Sequence, residues 1–184
     1  MLAKIAGVTL KNTMLYNEQL LFHNNLRSIL KAGIYLNTFK GCRELGRHAE
    51  IKLANLFNCD NAKVYFLDTT DLYIWRYEIS GKKVYYKSDS GILGQSLVKK
   101  SILVISNPTM ESSFNALVDI ESHMPIVAVP IKCSITDKVL GAFEVINTRG
   151  IEGMSSTGAA KLSNKDYDIL DFFSKQLAQC KIFI

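Results

Sequence analysis

Residues 88–108 read SDSGILGQSLVKKSILVISNP, and Gly91 and Gly94 bracket Ile92 and Leu93 where the pattern predicts the start of a short helix. Glycines at a helix start free backbone N–H groups, which suits an anionic group. The same residues also suit a plain glycine turn with no ligand. The phosphate-loop pattern with its Lys-Ser/Thr pair is absent, which argues against nucleoside-triphosphate hydrolysis. Glu144 is a second candidate, because it lies inside the apolar run VLGAFEVIN, where an unpaired carboxylate is costly. The four cysteines, Cys42, Cys59, Cys133 and Cys180, form no CxxC pair and no metal spacing with the three histidines. They read as small buried apolar residues. His123, beside Met124 and Pro125, is the one loop histidine, and no nucleophile elbow accompanies it. His48 falls one residue short of an apolar helix face and reads as a boundary residue. No catalytic constellation and no metal site emerge, so a non-enzymatic role is expected.

The chain has 184 residues, 48% of them hydrophobic and 21% charged, which is ordinary globular composition for one domain plus an extension. No apolar run approaches the roughly 18–20 residues of a membrane span. The N-terminal MLAKIAGVTLKNTML has no basic region or cleavage site, so a cytoplasmic protein without membrane association is expected. The net charge is +5 and the pI near 9.0. Its lysines come as scattered pairs, Lys82-Lys83 and Lys99-Lys100, and the basicity reads as a solvated surface with no nucleic-acid partner.

These candidates hang on elements that the periodicity predicts. Residues 2–36 read as one long helix. With Ile5, Asn12, Gln19, Leu26 and Gly33 at heptad position a, position d holds Val8, Leu15, Phe22, Ile29 and Leu36. That weak seam points to helical self-association, with packing on its own domain as the alternative. Leu45, Ala49, Leu53 and Leu56 mark one face of a second helix. The period then drops to two. In AKVYFLD, Val64 and Phe66 face one side, Tyr65 and Leu67 the other; LYIWRYEIS and KVYYK complete an antiparallel meander. A short helix at 92–99, a strand ILVIS, a loop with a helical piece at Phe114–Ile120, and strands 126–133 and VLGAFEVIN follow. Residues 148–161 read as a loop. Ser163 is the expected N-cap of a last helix, with Ile169 or Leu170, Phe173, Leu177 and Cys180 as its buried face. The fold class is α+β with a mostly antiparallel sheet.

Five segments carry a resemblance: AKVYFLD, SGILGQSLVKKSILVISNP, SSFNALVDIES, VAVPIKCSITDKVLGAFEVIN and LSNKDYDILDFF. In this order and spacing the chain resembles a GAF domain of the cyclic nucleotide phosphodiesterase and adenylyl cyclase type, over about residues 30–181. The opening AGVTLKNTMLYNEQ resembles the helix that joins one such domain to the next in a tandem array. The resemblance implies a six-stranded antiparallel sheet, helices packed on one side and a lidded ligand pocket on the other. Residues 1–36 become a connecting and dimerisation helix, and 37–184 the domain. It also implies pocket residues. Tyr77 would pack on a base, with a sheet-packing aromatic as the alternative, and Glu78 would sit near that base. Ile92 and Leu93 would offer lid amides, and the lysine charge of Lys63 would meet phosphate. Phe114, Asn115 and Asp119 belong to the lid segment, and Glu144 would face the pocket. The nucleotide-binding members carry an Asn-Lys, Phe, Asp-Glu motif. Here Asn147 and Asp166 match, while Thr148, Leu162 and Tyr167 replace the other three, so the Lys–Asp ion pair is missing unless Arg149 substitutes.

The function expected is a regulatory small-molecule sensor, with cGMP or cAMP as the candidate ligand and no other cofactor. It would signal as a homodimer through its N- and C-terminal helices. The alternative is a ligand-free dimerisation scaffold whose pocket is filled by Trp75, Tyr77 and Tyr85. Thiol catalysis and bilin attachment are disfavoured, because no cysteine falls in the lid or in loop 119–125.

Overall fold

A computed structural model describes residues 2–122, 124–146 and 164–180. Loop 148–161, the Ser163 cap, Asn147, Thr148, Arg149, Leu162 and His123 lie outside the described residues. The chain runs α1 (Leu2–Leu36), α2 (Cys42–Phe57), β1 (Asn61–Leu67), β2 (Tyr73–Tyr77), β3 (Lys83–Lys87), α3 (Gly91–Lys99), β4 (Leu103–Ile105), a single 3-10 turn (Pro108–Met110), β5 (Ile126–Lys132), β6 (Val139–Ile146) and α4 (Asn164–Ala178). No described helix is long and apolar enough to cross a membrane.

The strands form one antiparallel sheet in the order β3-β2-β1-β6-β5-β4. Alternation along each strand sends residues to two separate cores. Val64, Phe66, Val127, Val129, Phe143 and Val145 meet Leu45, Leu53, Leu170 and Phe173 of the helical layer made by α1, α2 and α4. Tyr65, Ile74, Ile126, Ala128 and Ala142 meet Ile92, Leu93 and Leu97 of α3, with Val118 and Ile120 of the loop. The central β6 is covered on both faces, which is why its sequence is nearly continuously apolar. Pro130 interrupts nothing, because β4 pairs with β5 only as far as Ala128. Its carbonyl accepts the Ser174 hydroxyl at 2.7 Å.

Two departures from the sequence reading have local causes. Residues 114–120 form turns, not a helical piece. The Asn115 carboxamide accepts the Leu117 N–H at 3.0 Å, and the Asp119 carboxylate accepts the Asn115 N–H at 2.8 Å. Such side-chain bonds compete with a helix for the same backbone donors. The second departure lies in β1 and β2, which pair only at Phe66–Trp75 and Leu67–Ile74. Beyond Trp75, Glu50 of α2 takes the place of a strand carbonyl. Its Oε1 accepts the Val64 N–H at 3.0 Å and lies 3.5 Å from the Arg76 guanidinium.

The heptad stripe of α1 is divided between two fates. Ile29 and Leu36 are buried in the core beside α4, while residues 6–21 are exposed along their whole length. Val8, Leu10, Met14, Leu15 and Leu21 stand in solvent on that half. An exposed ion pair, Lys165–Glu18 at 2.8 Å, links it to α4.

Candidate functional site

Gly91 has φ +78, and a Cβ there would stand 2.5 Å from Asp119 Oδ1. A Cβ on Gly94 would stand 2.3 Å from the backbone of Asp89. Both glycines are therefore required by close approach, one to a side chain and one to the turn that enters α3. The N-cap Ser90 makes no side-chain cap. The cap comes from far along the chain: Ile92 N–H donates to Asp119 Oδ2 at 3.0 Å and Leu93 N–H to Oδ1 at 3.2 Å. Asn115 braces the arrangement, its Nδ2 donating to Ser90 Oγ at 2.7 Å. The lid amides that the sequence offered to a ligand are thus held by the protein's own carboxylate. Burial pushes the Asp119 carboxyl up, and the N–H groups of Asn115, Ile92 and Leu93 oppose that rise.

Glu144 lies below, fully buried. Its Oε2 accepts the Ile120 N–H at 2.9 Å, while Oε1 has no hydrogen-bond partner. Burial first, and then the Asp119 charge, push its carboxyl up to about 8. Lys63 is its cross-strand partner on β1. The Lys63 ammonium donates to the Val118 and Asp119 carbonyls, each at 3.5 Å, and burial pulls its pKa down. The Tyr65 hydroxyl donates to the Val118 carbonyl at 2.6 Å, and burial holds that phenol well above its ordinary range. Two strands and one helix start therefore grip the three-residue segment 118–120 by its backbone and by Asp119. Phe114 packs, partly buried, on the same core.

Lys63, Ile92, Leu93, Phe114, Asn115, Asp119 and Glu144 are thus brought together on the α3 face. Tyr77 and Glu78 are not. Tyr77 meets Trp75 edge-on at 5.8 Å, and Trp75 stacks on Phe66 at 4.8 Å, on the helical side of the sheet. Glu78 is exposed in the β2–β3 turn and accepts the Ser80 hydroxyl at 3.3 Å. Both line a separate cavity of about 410 Å³ beside α2. Trp75, Tyr77 and Tyr85 therefore do not fill the α3 face; Tyr65, Ile74, Ile92, Leu93 and Ile126 do. Tyr65 is the site residue the sequence reading missed, because its pattern marked a strand face and nothing marked the hydroxyl.

The four thiols lie elsewhere. Cys42, Cys59 and Cys180 pack on the helical side, where burial pushes Cys42 up and the other two to about 11. Cys133 follows β5 at the turn into β6, where the Thr136 hydroxyl lowers its thiol. Among the described residues no group of three or more His, Cys, Asp or Glu is placed to hold a metal ion.

No protein-family model and no curated protein matches the sequence. Solved structures match the fold. The GAF domain of a phosphoenolpyruvate-protein phosphotransferase from Acinetobacter is 16% identical, with 83% of this chain and 89% of that one covered at a TM-score of 0.63. Residues 122–287 of a methyl-accepting chemotaxis protein are 14% identical, with 82% and 94% covered at 0.60. Free methionine-R-sulfoxide reductase from Neisseria meningitidis, in complex with its substrate, is 12% identical, with 84% and 86% covered at 0.60. The chain has the GAF-domain fold.

Proposed function

We propose that this chain is a regulatory sensor module of the GAF type, binding a small molecule on its α3 face and reporting it through α1 in a homodimer. One observation carries the reading: Glu144 Oε1 is buried without a donor directly beneath the 118–120 segment. A ligand N–H there would give the ionised carboxylate the partner it lacks, so binding would release the proton that the buried carboxyl otherwise holds. The ligand chemistry this favours is a hydrogen-bond donor at Glu144. The ring N–H and amino groups of cGMP, or the amino group of cAMP, have that chemistry. A phosphate at the lid would have to displace the Asp119 carboxylate from the amides of Ile92 and Leu93, so the base edge is the recognised end. Occurrence of the same fold in a chemotaxis protein supports a signalling role. The distance of all four thiols from Asp119 and Glu144 supports a role without thiol catalysis.

Calorimetric titration of cGMP and of cAMP tests this. Saturable heat with one of them, lost in Glu144→Ala, is the expected result. No heat from either at millimolar concentration rejects the nucleotide. The scaffold reading then takes over, favoured by the apolar packing that already joins α3 to the sheet.

A further inference from the structure

The β2–β3 hairpin forms one edge of the sheet, with β3 outermost. On the helical side α2 packs on β1 and, less, on β2. Register fixes what the hairpin presents beyond it. Tyr73 pairs with Lys87, Trp75 with Tyr85, and Tyr77 with Lys83. Residues two apart in a strand share a face, and direct cross-strand partners share it too. These six residues therefore make three cross-strand rows on one face. The outer rows each set an aromatic ring beside a lysine, and the middle row sets two rings side by side. Ile74 and Tyr86, between them in sequence, turn to the other core. Spread along the chain, the two lysines and four rings come together only through the pairing.

The rings are not equivalent. Trp75 is occupied, with Phe66 stacked on it at 4.8 Å and the Lys83 ammonium 3.5 Å from its ring centre. Tyr77 is half-buried and edge-on to Trp75. Tyr73 and Tyr85 are 45% and 54% exposed. Among the described residues neither Lys83 nor Lys87 has an ion-pair partner. Arg43 of α2 adds a third cation at the turn, where a Cβ on Gly81 would come within 2.6 Å of its guanidinium. The acids stand at the rim. Glu78 accepts the Ser80 hydroxyl in the turn, Glu44 follows Arg43 on α2, and Asp71 and Asp89 lie beyond Tyr73 and Lys87. Asp71 is 3.9 Å from Lys138. None of the six residues of the face is acidic, so the face itself is net positive. Exposed rings interleaved with cations suit a single strand of nucleic acid, whose bases stack while its phosphates meet lysine. An acidic peptide would use the charge and leave the rings idle.

We propose that this hairpin face binds single-stranded nucleic acid without reading its sequence, with bases lying on Tyr73 and Tyr85 and phosphates meeting Lys83, Lys87 and Arg43. The surface lies across the sheet from Asp119 and Glu144, so it stands or falls apart from the sensor reading.

The probe is fluorescein-labelled oligothymidylate of about ten nucleotides, titrated with the full chain at low salt. A saturable rise in anisotropy is expected. Tyr73→Ala/Tyr85→Ala should weaken binding at least about ten-fold, the loss of one stacked base. Lys83→Gln/Lys87→Gln should flatten the plot of log affinity against log salt by about 1.4, the share of two phosphates. Lys99→Gln/Lys100→Gln, the other lysine pair, should bind as the wild type does. Circular dichroism confirms that each variant folds, and an abasic strand with the same phosphates tests stacking on the unaltered chain. The proposal is overturned by no saturable binding up to about 100 µM protein. It is equally overturned by unchanged affinity in the tyrosine variant, or by abasic strand or polyglutamate binding as tightly as oligothymidylate.

Discussion

A carboxyl with one oxygen on the Ile120 N–H and the other on nothing is more stable with its proton than without it, and at Glu144 the pKa moves from 4.5 to about 8. The folded chain then holds a proton that the unfolded chain releases between those values. The stability from this group is complete below the unfolded value and is lost as pH rises through the folded one, by roughly a few kcal/mol in all. Thermal unfolding should show a melting temperature that falls across this window. Glu144→Gln should flatten the profile and melt above the wild type at its alkaline end; parallel profiles would reject the idea. Some slope will remain, because Asp119 is raised in the same direction. The glycines offer a sharper contrast. Gly91→Ala places a methyl on the Asp119 carboxylate at a left-handed backbone position and should cost more than about 1 kcal/mol. Gly46→Ala meets only ordinary contact with Phe66 in a helical backbone and should stabilise by about 0.4–1 kcal/mol. Urea unfolding of the two variants separates them. Glu144 was visible in the sequence, since a carboxylate in an apolar strand announces itself. That Asp119 caps α3 was not, because the contact spans 27 residues and no local pattern encodes it.

At the scale of elements, the periodicities located every described α-helix and strand, and they failed where side chains take over the backbone's hydrogen bonds. Asn115 and Asp119 do so in 114–120, and Glu50 does so for Val64. The second case makes a prediction. Glu50→Ala leaves the Val64 N–H without its acceptor and Arg76 without its counter-ion. It should cost about 1–3 kcal/mol and speed hydrogen exchange at Val64. An unchanged exchange rate would show that another group serves that amide. Leu15→Glu tests α1. On the exposed half it should shift the proposed dimer to monomer in sedimentation, with stability changed by less than about 0.5 kcal/mol. Leu36→Ala, on the same stripe but inside the core, should cost about 2–5 kcal/mol.

For the whole molecule, the sheet carries one core on each side. The layering was legible because strand alternation sorts residues by face, as Val64 and Phe66 against Tyr65 and Leu67 show. The face that Tyr77 occupies was not, because β2 carries aromatic residues on one face and Ile74 with Arg76 on the other, so neither reads as the ligand side. The helical core also draws on α1, through Ile29, Ala32 and Leu36. A chain lacking residues 1–21 should therefore fold and melt as the full one does. A chain lacking 1–36 should not, since Ile29 and Leu36 each contribute about 1.5–3 kcal/mol against a total of about 5–15. Circular dichroism melts of the two truncations settle it.

The stripe along α1 is gripped at one end and bare at the other, so the helix is a rod with its root in a socket. An α-helix drifts about 20° per heptad against a seven-residue repeat, so Val8 points roughly 60° around the axis from Ile29, about 32 Å away. Turning the rod at its root, where Gly33 lies against Gln176 of α4, turns the bearing of the free end by the same angle. A shift inside the domain too small to change its outline would reach the second copy of the proposed dimer as a change of heading.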